Sequence, residues 1–392
     1  MKRNTLAGLA FPVLIVFFSV SWAIQCHAQG PLFVPAPGSP VTVGKGSGEI
    51  VLADFNRDGH LDMLTKHLLT QNVVVRFGDG KGHFAPVADS PMSFSYQPGA
   101  ITLGDVNNDS ILDLGIANKE GAKEYVRIFL GNGKGGFNPA SGSPFTTSAA
   151  IETYKPILRF ADVNEDGKMD LITANGRRNS IEVFFGDGKG AFAAGPIVKL
   201  ESSPCRHSFV VGDVDADRHL DLVVALNNEV DGGQGRIVIK RGDGKGAFTD
   251  AAGTPLSIPP DPRIGKLADM NGDQHPDIVL SHSNNRLSVL LNRGNGTFTP
   301  APASPYKIGA EAFAVVVADV NKDKKNDLIA ATVNSVTVLL GDSRGFVPAP
   351  GSPFSAGPGA YNVTVGDLNE DGKPDVAASS FEGDAVTVLL GR

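Results

Sequence analysis

An aspartate-rich nonapeptide of one pattern occurs seven times along this 392-residue chain. The copies begin at Asp54 (DFNRDGHLD), Asp105 (DVNNDSILD), Asp162 (DVNEDGKMD), Asp213 (DVDADRHLD), Asp269 (DMNGDQHPD), Asp319 (DVNKDKKND) and Asp367 (DLNEDGKPD). Successive starts are 51, 57, 51, 56, 50 and 48 residues apart. A period of this size marks a propeller or a solenoid, whose units cannot bury their apolar faces alone and must stack.

The order inside each period is constant. An apolar run such as Ala314-Val315-Val316-Val317-Ala318 precedes the Asp loop, and another such as Leu328-Ile329-Ala330-Ala331 follows it. A third, such as Val336 to Leu340, comes after a short polar turn and leads into a Gly-rich turn and a segment that starts with Phe. Runs of four or five β-branched and apolar residues favour strands over helices. Runs apolar on both faces suit sheets covered on both sides, so four strands per period repeated radially predict stacked blades. The C-terminal run, residues 386–391, is a third strand with no fourth after it. The segment FVPAPGSP at residues 33–40 recurs at 346–353, where it is the fourth strand of the sixth unit. The N-terminal strand is therefore expected to complete the seventh blade and leave no open sheet edge. The expected fold is all-β: one seven-bladed β-propeller of four-stranded antiparallel blades over residues 31–392.

Each loop carries Asp at positions 1, 5 and 9 and an oxygen side chain at position 3 (Asn, or Asp215 in the fourth loop). Alternating oxygen ligands, a main-chain carbonyl at position 7 and a later carboxylate form the front of a calcium loop, and an all-oxygen, flexible site selects Ca²⁺. The expected ligands are Asp54, Asn56, Asp58, His60 and Asp62; Asp105, Asn107, Asp109, Ile111 and Asp113; Asp162, Asn164, Asp166, Lys168 and Asp170; Asp213, Asp215, Asp217, His219 and Asp221; Asp269, Asn271, Asp273, His275 and Asp277; Asp319, Asn321, Asp323, Lys325 and Asp327; and Asp367, Asn369, Asp371, Lys373 and Asp375. Because position 7 ligates through its carbonyl, its side chain is free to vary, and His60, His219 and His275 do not make a transition-metal site. Asx-rich turns without metal use the same residues, but one acid pattern kept through all seven copies favours calcium. Position 6 wants positive φ, which Gly59, Gly167 and Gly372 supply more readily than Ser110, Arg218, Gln274 and Lys324. Up to seven ions are expected, bound most tightly in the loops at Asp54, Asp162 and Asp367, and least tightly in the sixth loop with its three lysines.

These motifs resemble the FG-GAP/VCBS repeat family: an apolar strand, D-x-[ND]-x-D-G-x-x-D, apolar strands, then L-G-[ND]-G-x-G-x-F. The last part stands here at residues 77–84 (FGDGKGHF), with near copies ending at Phe137, Phe192, Phe248, Phe298 and Phe346. The pattern is similar to the propeller heads of integrin α-subunits and to some fungal lectins. The resemblance implies calcium between the first two strands of a blade and says little about the ligand, since one fold hosts many functions.

The N-terminus reads as a signal peptide over residues 1–28: Lys2 and Arg3, an apolar stretch over 6–20, and small residues before a cut after Ala28. Gln25 ahead of Cys26 argues against a lipoprotein. Export to the periplasm or the cell exterior is expected, with no membrane span. Cleavage leaves Cys205 as the single cysteine and moves the formal charge from −7 to −9. A large exported domain without a disulfide needs another staple, which calcium would supply. The absence of basic excess excludes nucleic acid as a partner, and a monomer is expected. The GDGKG runs lack the Lys-Ser/Thr of a phosphate loop and read as hairpin turns. Arg241-Gly242-Asp243 sits where other units read Phe-Gly-Asp or Leu-Gly-Asn, so the Arg looks incidental.

In an up-and-down blade, the Asp loop and the Gly-rich turn share one face. The second turns (residues 119–125, 176–179, 228–236 and 284–286) and the inter-blade links share the other. Variable loops on a rigid frame carry binding. The links place Gln97, Tyr154, Arg206, Arg263, Glu311 and Tyr361 around the channel mouth as candidate ligand residues. Two functions follow: a module for protein or carbohydrate interaction and adhesion, or a propeller enzyme acting on an extracellular polysaccharide. The sequence favours the first, because departures from the repeat are scattered and no catalytic cluster is legible.

Overall fold

The computed structural model describes residues 30–88, 90–120, 123–150, 157–175, 179–200, 206–227, 233–342 and 345–392. The predicted signal peptide lies outside them, as do Tyr154 and Cys205. Every regular element among the described residues is a strand, and the strands form seven antiparallel sheets in chain order, one per Asp loop. The inner strands are Ser47–Ala53, Pro98–Gly104, Ile157–Ala161, Arg206–Gly212, Pro262–Ala268, Ala312–Ala318 and Ala360–Gly366, each running toward its Asp loop. The loop returns into a second strand that begins at its ninth residue, as in Asp62–His67 or Asp327–Thr332. Second strands are buried along their whole length in blades one, five, six and seven. Both of their faces meet a neighbouring blade, which is why these runs are apolar without alternation.

Seven apolar clusters hold the ring, one at each interface between consecutive blades. Val163, Ile172, Phe209 and Leu222 join blades three and four, and Ala36, Ile50, Met63 and Val388 join blade seven to blade one. Closure follows the sequence expectation. Phe33–Pro35 pairs with Ala385–Gly391, placing Phe33 opposite Gly391, and Val41–Thr42 continues along the same strand. The amide of Arg392 donates to the carbonyl of Leu32 at 3.0 Å, so residue 392 lies against the start of the first described strand.

The outer strand departs from the simple plan. In six blades it is broken into two short pieces that pair with the same third strand. The break holds a cis Ser-Pro or Thr-Pro peptide at residues 39–40, 90–91, 143–144, 254–255, 304–305 and 352–353. The serine takes over the ladder: Oγ of Ser39, Ser90, Ser143, Ser304 and Ser352 accepts a third-strand N–H at 2.8–3.1 Å. The backbone donor left by the broken strand thus stays satisfied. Among the described residues blade three has no such cis peptide, and its outer strand Phe192–Lys199 is continuous.

Candidate functional site

All seven Asp loops share one hydrogen-bond plan. Oδ2 of the first Asp accepts the N–H of position 6 at 2.7–2.9 Å. Oδ1 of the Asp at position 5 accepts the N–H of position 7 at 2.8–3.0 Å. In the six loops with Asn at position 3, its Oδ1 accepts the N–H of position 5 at 2.9–3.2 Å, so each loop is closed by its own side chains. Position 6 has positive φ in every loop, including Ser110, Arg218, Gln274 and Lys324. Position 4 has it too, at Arg57, Asn108, Glu165, Ala216, Gly272, Lys322 and Glu370, which the sequence did not signal because one residue of the seven is glycine.

The Asp at position 9 is fully buried in every blade. Its Oδ2 accepts the N–H of position 2 at 2.8–3.0 Å. Its Oδ1 accepts the N–H that ends the third strand at 2.7–2.9 Å. That close approach explains the Gly of the FG motif: a Cβ on Gly78 would stand 2.1 Å from the carbonyl oxygen of Leu61. One carboxylate therefore ties the start of the loop to the third strand.

The donors fit a hard divalent cation. Burial, and then the carboxylates at positions 1, 3 and 5, push the ninth-position acid up to about 6 for Asp221, Asp277 and Asp327. A cation among these oxygens offsets both causes. In the fourth loop, oxygens of Asp213, Asp215 and Asp221 come within 4.8 Å of one another. Nε of Arg241 lies 3.0 Å from Oδ2 of Asp215. The Arg that looked incidental thus answers the extra acid where other loops carry Asn. His60 and His219 turn away from metal chemistry. Nδ1 of His60 contacts Glu370 of the seventh loop, and Nδ1 of His219 lies 2.5 Å from Oε1 of Glu165 in the third. Each histidine is held toward the charged form first by that hydrogen bond, so position 7 of one loop latches to position 4 of the preceding one.

On the opposite face, three of the expected ligand residues come together. Nη2 of Arg263 reaches Oε1 of Glu311 at 3.2 Å and Oδ2 of Asp261 at 3.1 Å. Its guanidinium stands 5.8 Å from the Phe313 ring, which stacks on Tyr361 at 6.0 Å and 18°. Tyr361 packs in turn on Phe381, at 6.2 Å. All these residues except Asp261, Phe313 and Phe381 were expected from the sequence; the aromatics begin an inner strand or follow a second strand, where the repeat carries no fixed residue. Gln97 stands apart, exposed, with its amide on the Leu68 carbonyl at 3.2 Å. Arg206 starts its inner strand opposite Asn227. A second cluster went unnoticed in the sequence: Arg127 lies 4.1 Å over Tyr96 and 5.4 Å from Tyr125, and pairs with Glu120 at 2.6 Å.

Seven blades, each with one Asp loop between its inner and second strand, define a repeat β-propeller. Residues 105–173, 162–224, 213–280, 269–330 and 319–378 match the FG-GAP-like repeat, and the chain belongs to that family. No curated protein matches it in sequence. Among solved structures it is similar to BBS1N in complex with ARL6DN, at TM-score 0.57 and 12% identity over 93% of this chain and 98% of that one. It is also similar to an Agrocybe aegerita lectin that recognises non-reducing terminal N-acetylglucosamine, at 0.55 and 17% over 87% of each chain. A protein from Lactobacillus plantarum aligns at 0.56 and 13%, over 88% of this chain and 92% of the other. At these identities the likeness is one of fold. No helix among the described residues is long and apolar enough to cross a membrane.

Proposed function

We propose that this chain is an exported, calcium-stabilised interaction module that binds a protein or glycan on the face opposite its Asp loops. The observation that carries this reading is the convergence of Arg263, Glu311, Phe313, Tyr361 and Phe381, drawn from blades five to seven onto one patch. Half-buried rings offer apolar faces to a sugar or side chain, while the guanidinium and carboxylate fix its orientation. Among structures of the same fold, one is a lectin and another is bound to a protein partner. The Asp loops act at a distance from this patch, as staples of the ring.

Binding of the purified chain to a glycan array and to extracellular protein extracts, with and without chelator, tests the reading. Phe313→Ala with Tyr361→Ala is expected to weaken the captured interaction about tenfold. Turnover of a polysaccharide, or binding unmoved by the double substitution, would overturn it. For the metal, free calcium about tenfold above Kd adds roughly 1.4 kcal/mol per occupied site. Melting is therefore expected to fall markedly in chelator, and identical melting with millimolar calcium and with chelator would sink the calcium reading.

A further inference from the structure

The interface between blades two and three begins as an ordinary apolar layer. Val126, Ile128, Leu158, Leu171 and Phe184 pack across it. Strand residues two apart share a face, as do residues directly opposite in an antiparallel pair. Counting back from Val126 puts Glu124 on the same face of blade two. Counting back from Phe184 puts Glu182 and Ser180 on the facing side of blade three, and Thr173 stands opposite Glu182 in register. The layer thus turns polar toward the second turns while staying buried. Glu124 is 1% exposed, Glu182 3%, Thr173 1% and Ser180 2%.

We propose that Glu124, Glu182, Thr173 and Ser180 form a hard-cation site between blades two and three, separate from the seven Asp loops, with Ca²⁺ as its ion. The donor set is two carboxylates and two hydroxyls, all oxygen, which is the chemistry of a hard divalent cation. Three of these atoms point into the interface with nothing to bond: Oε1 of Glu124, Oγ1 of Thr173 and Oγ of Ser180. Buried polar atoms are ordinarily satisfied, so three orphans on facing sheet surfaces mark a place for a guest. Burial, and then the charge of Glu182, hold the Glu124 carboxyl up to about 8. A divalent ion among these oxygens offsets the burial of the Glu124 carboxyl. The ion would clamp two blades near the second-turn face, where no Asp loop reaches.

Equilibrium dialysis of the full chain with calcium, comparing the unsubstituted protein with Glu124→Gln and Thr173→Val, tests the site. Glu124→Gln is expected to bind one equivalent fewer, and Thr173→Val to hold that equivalent about tenfold more weakly. The count stays readable if the Asp loops bind nothing: the unsubstituted chain then takes one equivalent and Glu124→Gln none. Equal stoichiometry in all three proteins would overturn the proposal. So would a Glu124→Gln variant that melts higher by the same margin with calcium and with chelator, which marks a protonated carboxyl.

Discussion

Position 6 of the Asp loop asks a single residue to sit at positive φ, and four of the seven loops meet that demand without glycine. Gln274 holds φ at 68° and Lys324 at 69°. A side chain in this region costs about 1–2 kcal/mol, and glycine's extra unfolded-state freedom costs about 0.5–1 kcal/mol. Gln274→Gly is therefore expected to stabilise by a few tenths to about 1 kcal/mol, read as a higher melting temperature. Gly167 gives the reverse test: an added Cβ meets nothing within 4 Å, so Gly167→Ala isolates backbone strain and should cost about 1 kcal/mol. A gain in stability from Gly167→Ala would refute the strain argument. Two histidines set a pH dependence. His67 bonds through Nε2 to Oγ1 of Thr65, and His282 to Oγ of Ser288, each at 2.8 Å and fully buried. Burial lowers both below the ordinary histidine value. The unfolded chain then binds more protons than the folded one, so this part of the stability is complete above about pH 6.5 and declines as pH falls through the window below it. Melting should fall faster between pH 7.5 and 5.5 in the unsubstituted protein than in His282→Gln, and parallel curves would remove histidine from the account.

At the level of the element, the ninth Asp joins loop to strand. Asp327, itself fully buried, accepts from Val320 at 2.8 Å and from Gly341 at 2.7 Å. Asp327→Ala strands one buried and one half-buried donor and should cost about 3 kcal/mol, whereas Asp327→Asn keeps one acceptor and should fall between. Asp323→Ala, at an exposed loop tip, should shift melting far less; equal losses would mean that the bracing role is misassigned. The sequence displayed this residue as a metal ligand because the repeat keeps an acid there, and ligation and bracing ask for the same residue. Only the register of the third strand separates the two roles. The broken outer strand was hidden for a related reason. The motif ending in Ser-Pro was visible, but its meaning depends on Ser90 or Ser304 reaching a neighbouring strand, a contact 15 residues away in sequence. The pairing of Arg241 with Asp215 was likewise illegible, since each looked like a lone departure from its own repeat position. The blade period, the Asp loops and the Arg263–Glu311–Tyr361 patch were legible, because each follows from where a strand must begin or end.

A ring of blades has no first blade, yet its first and last described strands must pair for the ring to close, and they do so in the seventh blade. Phe33 carries that junction. It is 2% exposed, sits opposite Gly391, and meets the Phe354 ring edge-on at 5.3 Å within the cluster between blades six and seven. Phe33 closes the outer edge of the seventh blade and fills a core between two blades. Phe33→Ala should cost about 3–5 kcal/mol, as for a central core aromatic, and leave an unpaired strand edge open to aggregation. The same geometry makes the position of the ends arbitrary. The Arg392 amide already bonds to the Leu32 carbonyl, so a short linker from residue 392 to residue 31 bridges strands that are paired without it. New ends can then be cut at the exposed turn of residues 252–253, between the two outer pieces of blade four. This permuted chain should fold and melt at or above the temperature of the original, because closure becomes covalent while a broken outer strand becomes the new seam. Within the permuted chain, Phe33→Ala should lose packing but no longer open the ring, so its aggregation should fall back toward that of the parent even as its melting temperature stays low. If the permuted chain fails to fold, or if Phe33→Ala aggregates equally in both, then the N-terminal strand does something other than close the ring.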